Sequence, residues 1–297
     1  MNISELEAAL ITENPPVLLD VRLEDDYGAA HLPGAVNTRV FEVTFLDQVA
    51  EAVSDKSKPL VTYGFGGESH EARVAAEKLM ASGFTNVTIF EGGMKAWTEA
   101  GKPIEGSGNT PADPAAPHGK KNLDLAESKV EWLGRNLLNK HWGTLGLQSG
   151  WLEFDQGSLI GGEFVIDMEA LSCTDLAGDP LHDVLIAHLK NDDFFDVEKF
   201  PTAGFAINEV TEFPQAAPSE PNIEIGGDLT LKGVTNPLSF PAVSGITADG
   251  QAAAQAAFAF DRTAWGVIYG SGKFFHRVAG HMVGDMIEMQ IRMVCEA

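Results

Sequence analysis

The sequence predicts two domains in series: a mostly parallel α/β sheet with helices on both faces, then an all-β antiparallel barrel or sandwich with one short helix. Three observations predict it. Short apolar runs separated by helical patterns fill the first third. Period-two alternation dominates the rest. Between them, residues 101–121 (GKPIEGSGNTPADPAAPHGKK) are rich in Gly, Pro, Ala and small polar residues, with Ile104 the only large apolar one. Such a stretch cannot bury enough surface to offset its ordering entropy, so it reads as a linker. The expected boundaries are 1–105, a linker at 106–121, and 122–297. A chain of 297 residues is long enough for two cores.

In the first domain, Val17-Leu18-Leu19 follows Pro15-Pro16 and Leu60-Val61-Thr62-Tyr63 follows Pro59; Val87-Thr88-Ile89-Phe90 is the third run. Between the last two, Ala72, Ala75, Ala76 and Leu79 recur at helical spacing within 68–81, and Gly83 stops the helix. Open sheets of this kind place ligands at the carboxyl ends of strands, which directs attention to the loop after Tyr63. In the second domain, Phe164, Ile166 and Met168 alternate with Glu163, Val165 and Asp167. Ile223, Ile225, Leu229 and Leu231 alternate with Glu224, Asp228 and Thr230, and Ile287 to Cys295 repeats the pattern at the C-terminus. One helix interrupts the strands, near Leu181 to Leu189.

Charge narrows the function. The net charge is −23. Residues 1–110 carry 8 basic and 17 acidic side chains, and the remainder 12 and 26, so the acidity is not one tail. A surface that works by wrapping phosphates needs clustered cations, so no nucleic-acid partner is expected. Docking on an anionic membrane face is disfavoured for the same reason. No apolar run has the length of a membrane span. The N-terminus has no basic or apolar leader region, and the expected location is the cytoplasm. Two cysteines, Cys173 and Cys295, cannot build a disulfide scaffold, and buried free thiols are the expectation.

Leu18-Leu19-Asp20-Val21-Arg22, Tyr27 and His31-Leu32-Pro33-Gly34-Ala35-Val36-Asn37 resemble the opening of a rhodanese-like domain. Phe84-Thr85-Asn86-Val87 and Phe90-Glu91-Gly92-Gly93-Met94-Lys95-Ala96-Trp97 resemble its end. Asp20 and Arg22 read as a structural ion pair, and Trp97 as a residue packed on the sheet. The resemblance implies a cysteine after the central strand that carries a persulfide, in a loop like Cys-x-x-Gly-x-Arg-Ser. Here the stretch is Tyr63-Gly64-Phe65-Gly66-Gly67-Glu68-Ser69-His70: Gly64 stands at the cysteine position and Ser69 at the arginine position. Only a thiolate attacks sulfane sulfur and then holds it, and residues 1–172 contain no cysteine. Sulfur transfer is therefore not expected. The loop (Gly64, Phe65, Gly66, Gly67, Glu68, Ser69, His70) is left as an inactive scaffold, an anion cradle opposed by Glu68, or a site for new chemistry at Ser69 or His70.

Ser128-Lys129-Val130-Glu131-Trp132, the run from His188 through Phe194-Phe195 and Phe200-Pro201 to Phe205, Gly227 to Pro237, and Asp261-Arg262-Thr263-Ala264-Trp265-Gly266 resemble the YceI-like family. The resemblance implies a lipocalin-like barrel of about eight strands with a helix near its mouth. It also implies a long apolar ligand: a polyisoprenoid, an isoprenoid quinone or a fatty acyl compound. A barrel of this size holds either its own side chains or one elongated ligand. Candidate lining residues are Trp132, Phe154, Phe164, Ile166, Met168, Ile225, Leu229, Phe258, Phe260, Ile287, Met289 and Met293, with His188 at the helix. Five histidines, His141, His182, His188, His276 and His281, lie here; His182 and His188 are too far apart to share a helix face as a metal pair. Separate polar roles are expected, with no metal site and no cofactor other than a bound lipid.

The reading these features favour is a non-enzymatic carrier of a hydrophobic small molecule, with the first domain as a docking or regulatory module that meets a protein partner. Two alternatives are an enzyme of sulfur metabolism with an atypical loop, and an interaction module with a solid barrel.

Overall fold

The structure, a computed structural model, describes residues 1–109, 114–247, 249–276 and 282–297. The chain divides into two compact units, Met1–Asp113 and Pro114–Ala297.

The first unit is built on four parallel strands in the order β2-β1-β3-β4: β1 (Val17–Asp20), β2 (Val36–Asn37), β3 (Leu60–Tyr63) and β4 (Val87–Ile89). All four residues of β3 are buried, as expected of a strand covered on both faces. Alternation along the strands sends side chains into two separate cores. Leu19, Val21 and Leu60 meet α3 (Phe45–Ala52) and α4 (Glu71–Ala81) on one face. Leu18, Val61 and Tyr63 meet α1 (Ile3–Leu10) and α5 (Gly93–Glu99) on the other, where Trp97 is buried. α1 is fixed by a capping box in which the Asn2 side chain accepts from Glu5 N–H and the Glu5 side chain accepts from Asn2 N–H. A further short helix, α2 (Glu24–Ala29), follows β1.

The second unit is a closed barrel. Its long strands are β6 (Lys129–Arg135), β7 (Lys140–Asp155), β8 (Ser158–Asp167), β9 (Thr202–Glu212), β10 (Ile223–Leu231), β11 (Val234–Ile246), β12 (Ala252–Asp261) and β13 (Met286–Val294). They pair antiparallel in the order β7-β6-β13-β12-β11-β10-β9-β8, and β8 pairs back to β7, so no free edge is left among them. A ninth strand, β5 (Gly119–Asn122), pairs with the far end of β7, and Leu123 then bridges Cys295. The helix α6 (His182–Lys190) lies between β8 and β9.

The stretch read as a linker is ordered at both ends. His31 and Glu105 exchange backbone hydrogen bonds, Ser107 N–H donates to Gly28 O, and Gly108 N–H donates to Ala29 O. At its other end Gly119, Lys120 and Lys121 belong to β5. Both ends are held through backbone groups, which apolar composition does not report.

Candidate functional site

The loop after β3 is fixed from two sides. Met94 N–H and Lys95 N–H of α5 donate to Gly64 O and Phe65 O at 2.8 and 2.9 Å. Gly66 has φ +91°, and a Cβ there would stand 1.9 Å from Gly92 O. The decisive group is Glu71, at the first turn of α4 and buried. Its Oε1 accepts from Phe65 N–H at 2.5 Å, and its other oxygen accepts from the Ser69 hydroxyl. A Cβ built on Gly64 would lie 2.1 Å from Glu71 Oε1. The chain's own carboxylate therefore fills the space that a side chain at position 64 would need. Ser69 is engaged by Glu71, with no hydrogen bond to His70 among the described contacts. Glu68, expected to oppose an anion, is exposed; the buried carboxyl beside the loop belongs to Glu71, which the residue pattern did not single out.

Close by, Arg22 makes a paired contact with the buried Asp20, Nε to Oδ1 at 3.0 Å and Nη2 to Oδ2 at 2.7 Å, and also donates to Ala30 O. Burial works to lower the Arg22 pKa, but the hydrogen bond and charge of Asp20 outweigh it and the net direction is up. This is the structural ion pair expected from the sequence.

The barrel encloses a cavity of about 190 Å³. At about 30 Å³ per water in the liquid, that is room for roughly six water-sized groups. Its wall takes Val130 and Trp132 from β6, Phe164, Ile166 and Met168 around β8, Ala203 and Phe205 from β9, and Leu229 and Leu231 from β10. Leu238, Phe240, Phe258, Phe260, Ile287, Met289 and Ile291 continue it around β11 to β13, and α6 contributes Leu185, His188 and Leu189. Polar wall residues are few. Arg135, Asn136, Asn139 and His141 belong to the β6–β7 hairpin, where Arg135 pairs with Glu288. Arg262 is buried and donates four hydrogen bonds to backbone carbonyls, those of Gly284, Val267, Tyr269 and Val283. Its guanidinium also lies 5.2 Å from the Phe194 ring centroid. Burial lowers its pKa, against the charges of Asp285 and Asp261. With four of its five N–H donors on carbonyls, Arg262 is committed to tying Gly284 and Val283 to Val267 and Tyr269.

Ten of the thirteen lining residues expected from the sequence stand on this wall: Trp132, Phe164, Ile166, Met168, His188, Leu229, Phe258, Phe260, Ile287 and Met289. Phe154, Ile225 and Met293 do not. An aromatic ladder explains the difference. Phe164, Phe205, Phe240 and Phe258 follow one another across the barrel with centroid separations of 5.7, 5.5 and 4.0 Å. Below it, Ile225 and Met293 border a residual space of only about 20 Å³, and Phe154 is fully buried on the part of β7 that pairs with β5. The barrel is thus hollow on one side of the ladder and filled on the other. Alternation identifies the inward face of a strand but not the height along the barrel axis.

His141, His182 and His188 meet different neighbours. His188 stacks edge-on against Tyr269 and Phe194, with centroids at 4.5 and 5.8 Å, and so ties α6 to the barrel wall. His182 meets Asp183, and His141 meets Asp175. His276 is exposed, while His281 and Arg277 lie outside the described residues. Both cysteines are free and buried. Burial pushes the Cys295 thiol up to about 11 and also raises that of Cys173.

Residues 122–295, more than half of the chain, match the family model described as the YceI-like domain. The chain belongs to the YceI-like family. Ahead of the YceI-like barrel, residues 2–100 match the rhodanese-like domain. Among curated proteins, the chain is similar to the uncharacterized protein YibN of Escherichia coli K12, 26% identical over 95 residues, covering 32% of this chain and 64% of YibN. It is also similar to a UPF0312 protein of Vibrio vulnificus, 29% identical over 116 residues, covering 38% of this chain and 53% of that protein. Each alignment spans less than two thirds of the relative. Among solved structures, BcnA of Burkholderia cenocepacia is 20% identical and covers 59% of this chain and 99% of its own, with a TM-score of 0.45. Among the described residues of this YceI-like protein, no helix is long and apolar enough to cross a membrane.

Proposed function

We propose that the YceI-like barrel binds or carries one long hydrophobic molecule, of the polyisoprenoid, isoprenoid quinone or fatty acyl class, and does not transform it. The observation that carries this reading is the apolar cavity above the aromatic ladder. Each methylene buried there stabilises the complex by roughly 0.8 kcal/mol, so the part of a long chain that enters the cavity is held without a specific polar contact. Met168 and Met289 on the wall suit such a ligand, since their flexible thioethers re-pack around varied chains. Several polar wall groups are engaged by the protein itself: Arg262 with backbone carbonyls, Arg135 with Glu288, and Trp132 with Ser172 O. That favours containment over chemistry.

The rhodanese-like unit is, in this reading, a non-catalytic docking or regulatory module. Gly64 supplies no nucleophile, and the Glu71 carboxylate holds the place where one would sit. A thiosulfate–cyanide assay of the full chain is expected to stay at background. The carrier role is tested by native mass spectrometry of gently purified protein, alone and after incubation with long-chain prenyl and acyl compounds. A single lipid mass retained per chain is the expected spectrum. A barrel that stays empty after such incubation would refute the proposal.

A further inference from the structure

We propose that His141, Cys173 and Asp175 form a binding site for one thiophilic divalent cation, with Zn²⁺ as the best match. The inference does not rest on the lipid reading, although His141 also stands on the cavity wall. The three side chains come from two places in the fold. His141 lies near the start of β7, and Cys173 and Asp175 lie in the segment that follows β8. That segment runs alongside β7: Ser172 N–H donates to Thr144 O at 2.9 Å and Thr174 N–H to Trp142 O at 2.8 Å. The Ser172 carbonyl accepts from Trp132 Nε1 at 3.0 Å, and its hydroxyl meets that of Thr144 at 2.8 Å. The close approach depends on Gly143, where a Cβ would stand 1.9 Å from Ser172 O. The three donors are therefore held by ordered backbone, and not by a loose surface loop.

Their chemistry fits a metal better than catalysis. Asp175 Oδ1 accepts from the Cys173 thiol at 3.2 Å and from Trp142 N–H at 2.8 Å, and Oδ2 lies 2.9 Å from His141 Nδ1. The carboxylate thus stands between thiol and imidazole. A nucleophilic cysteine needs the imidazole in that middle position, to take the thiol proton. For an ion the arrangement is favourable, because one donor atom from each residue lies within 4.8 Å of the other two. A tetrahedral zinc site with bonds of about 2.0–2.3 Å has donor atoms roughly 3.3–3.8 Å apart, so small side-chain shifts complete it. One thiolate, one imidazole and one carboxylate form a borderline-soft set, which selects zinc over calcium or magnesium. Three protein ligands leave a fourth position for water. Trp142 N–H would hold the carboxylate oxygen that does not bind, the outer-shell contact that orients a ligand. Binding releases the thiol proton to solvent and leaves the imidazole as the Nε2–H tautomer. His141 is partly exposed and gives the ion a way in. Among the described residues, no other group of three such donors is this close.

The test uses the reduced full chain titrated with Co²⁺, which reports thiolate ligation by a sulfur-to-cobalt charge-transfer band. The expected result is one ion per chain, with that band and the ligand-field bands of tetrahedral cobalt, all displaced by Zn²⁺. Cys173→Ser should abolish the charge-transfer band and weaken binding by at least ~10-fold, while Cys295→Ser leaves both unchanged. His141→Asn, at a partly exposed position that the fold tolerates, should weaken binding similarly and covers the case in which Cys173→Ser fails to fold. No cobalt uptake, or a band that survives both Cys173→Ser and His141→Asn, overturns the proposal.

Discussion

At position 64 a side chain would have to share space with Glu71, whose Oε1 stands 2.1 Å from the site of a Cβ. The missing side chain at position 64 and the buried carboxyl of Glu71 are therefore one structural fact. Placing a thiol there alone should fail. Gly64→Cys is expected to destabilise the first unit by about 1–3 kcal/mol, as overpacked sites do. Adding Glu71→Ala should recover part of that loss, giving a coupling of about 0.5–3 kcal/mol in a denaturant double-mutant cycle; additive effects would contradict the clash. A second residue-scale expectation concerns Cys295, whose thiol moves from an ordinary 9.0 to about 11 on burial. Between those values the unfolded chain has lost a proton that the folded chain keeps, so stability falls as pH rises from about 9 to 11. Below pH 9 both states hold the proton and there is no effect. Chemical denaturation at stepped pH should show this slope, and Cys295→Ala should flatten it.

At the level of elements, the segment after β8 is held to β7 through a glycine. The atoms a Gly143 Cβ would meet, Ser172 O at 1.9 Å and Cys173 Cα at 2.8 Å, are backbone and cannot swing aside. Gly143→Ala is expected to cost about 1–3 kcal/mol and to shift the amide resonances of residues 172–175. Gly161, on β8, has nothing within 4 Å of its missing Cβ, and Gly161→Ala should be neutral or stabilising by up to about 1 kcal/mol. Equal costs for the two substitutions, read from urea midpoints, would mean the close approach is not what matters. Elements also differ in how well they can be read in advance. β10 was legible because Ile223, Ile225, Leu229 and Leu231 contrast with charged and polar neighbours. β12 was not: Ala252-Ala253-Ala254 and Ala256-Ala257 put the same small residue on both faces, and alternation carries no signal without contrast. α1 and α3 escaped similarly, being eight residues each with one or two buried side chains.

Across the whole molecule, composition and periodicity were enough to separate an α/β unit from an all-β one, though not a barrel from a sandwich, because each core is assembled from residues of one unit alone. What they could not convey is depth. Phe154, Ile225 and Met293 face inward like Phe164 and Met289, yet lie beyond the ladder formed by Phe164, Phe205, Phe240 and Phe258, where the interior is filled. Which inward residues surround open space depends on how rings from four strands meet, and no single strand records that. Glu71 is a parallel case, since its role depends on a glycine seven positions earlier. The cavity above the ladder remains the claim on which the function rests. The measurement that tests it most directly is equilibrium binding of a fluorescent long-chain fatty acyl probe to the full chain and to Ala203→Trp, which sets an indole in the cavity. The wild-type chain should saturate with one probe. Excluding even two methylenes, at roughly 0.8 kcal/mol each, should lower the affinity of Ala203→Trp about tenfold while the fold is kept. Absence of saturable uptake by the wild-type chain, or an affinity unchanged in folded Ala203→Trp, would contradict it.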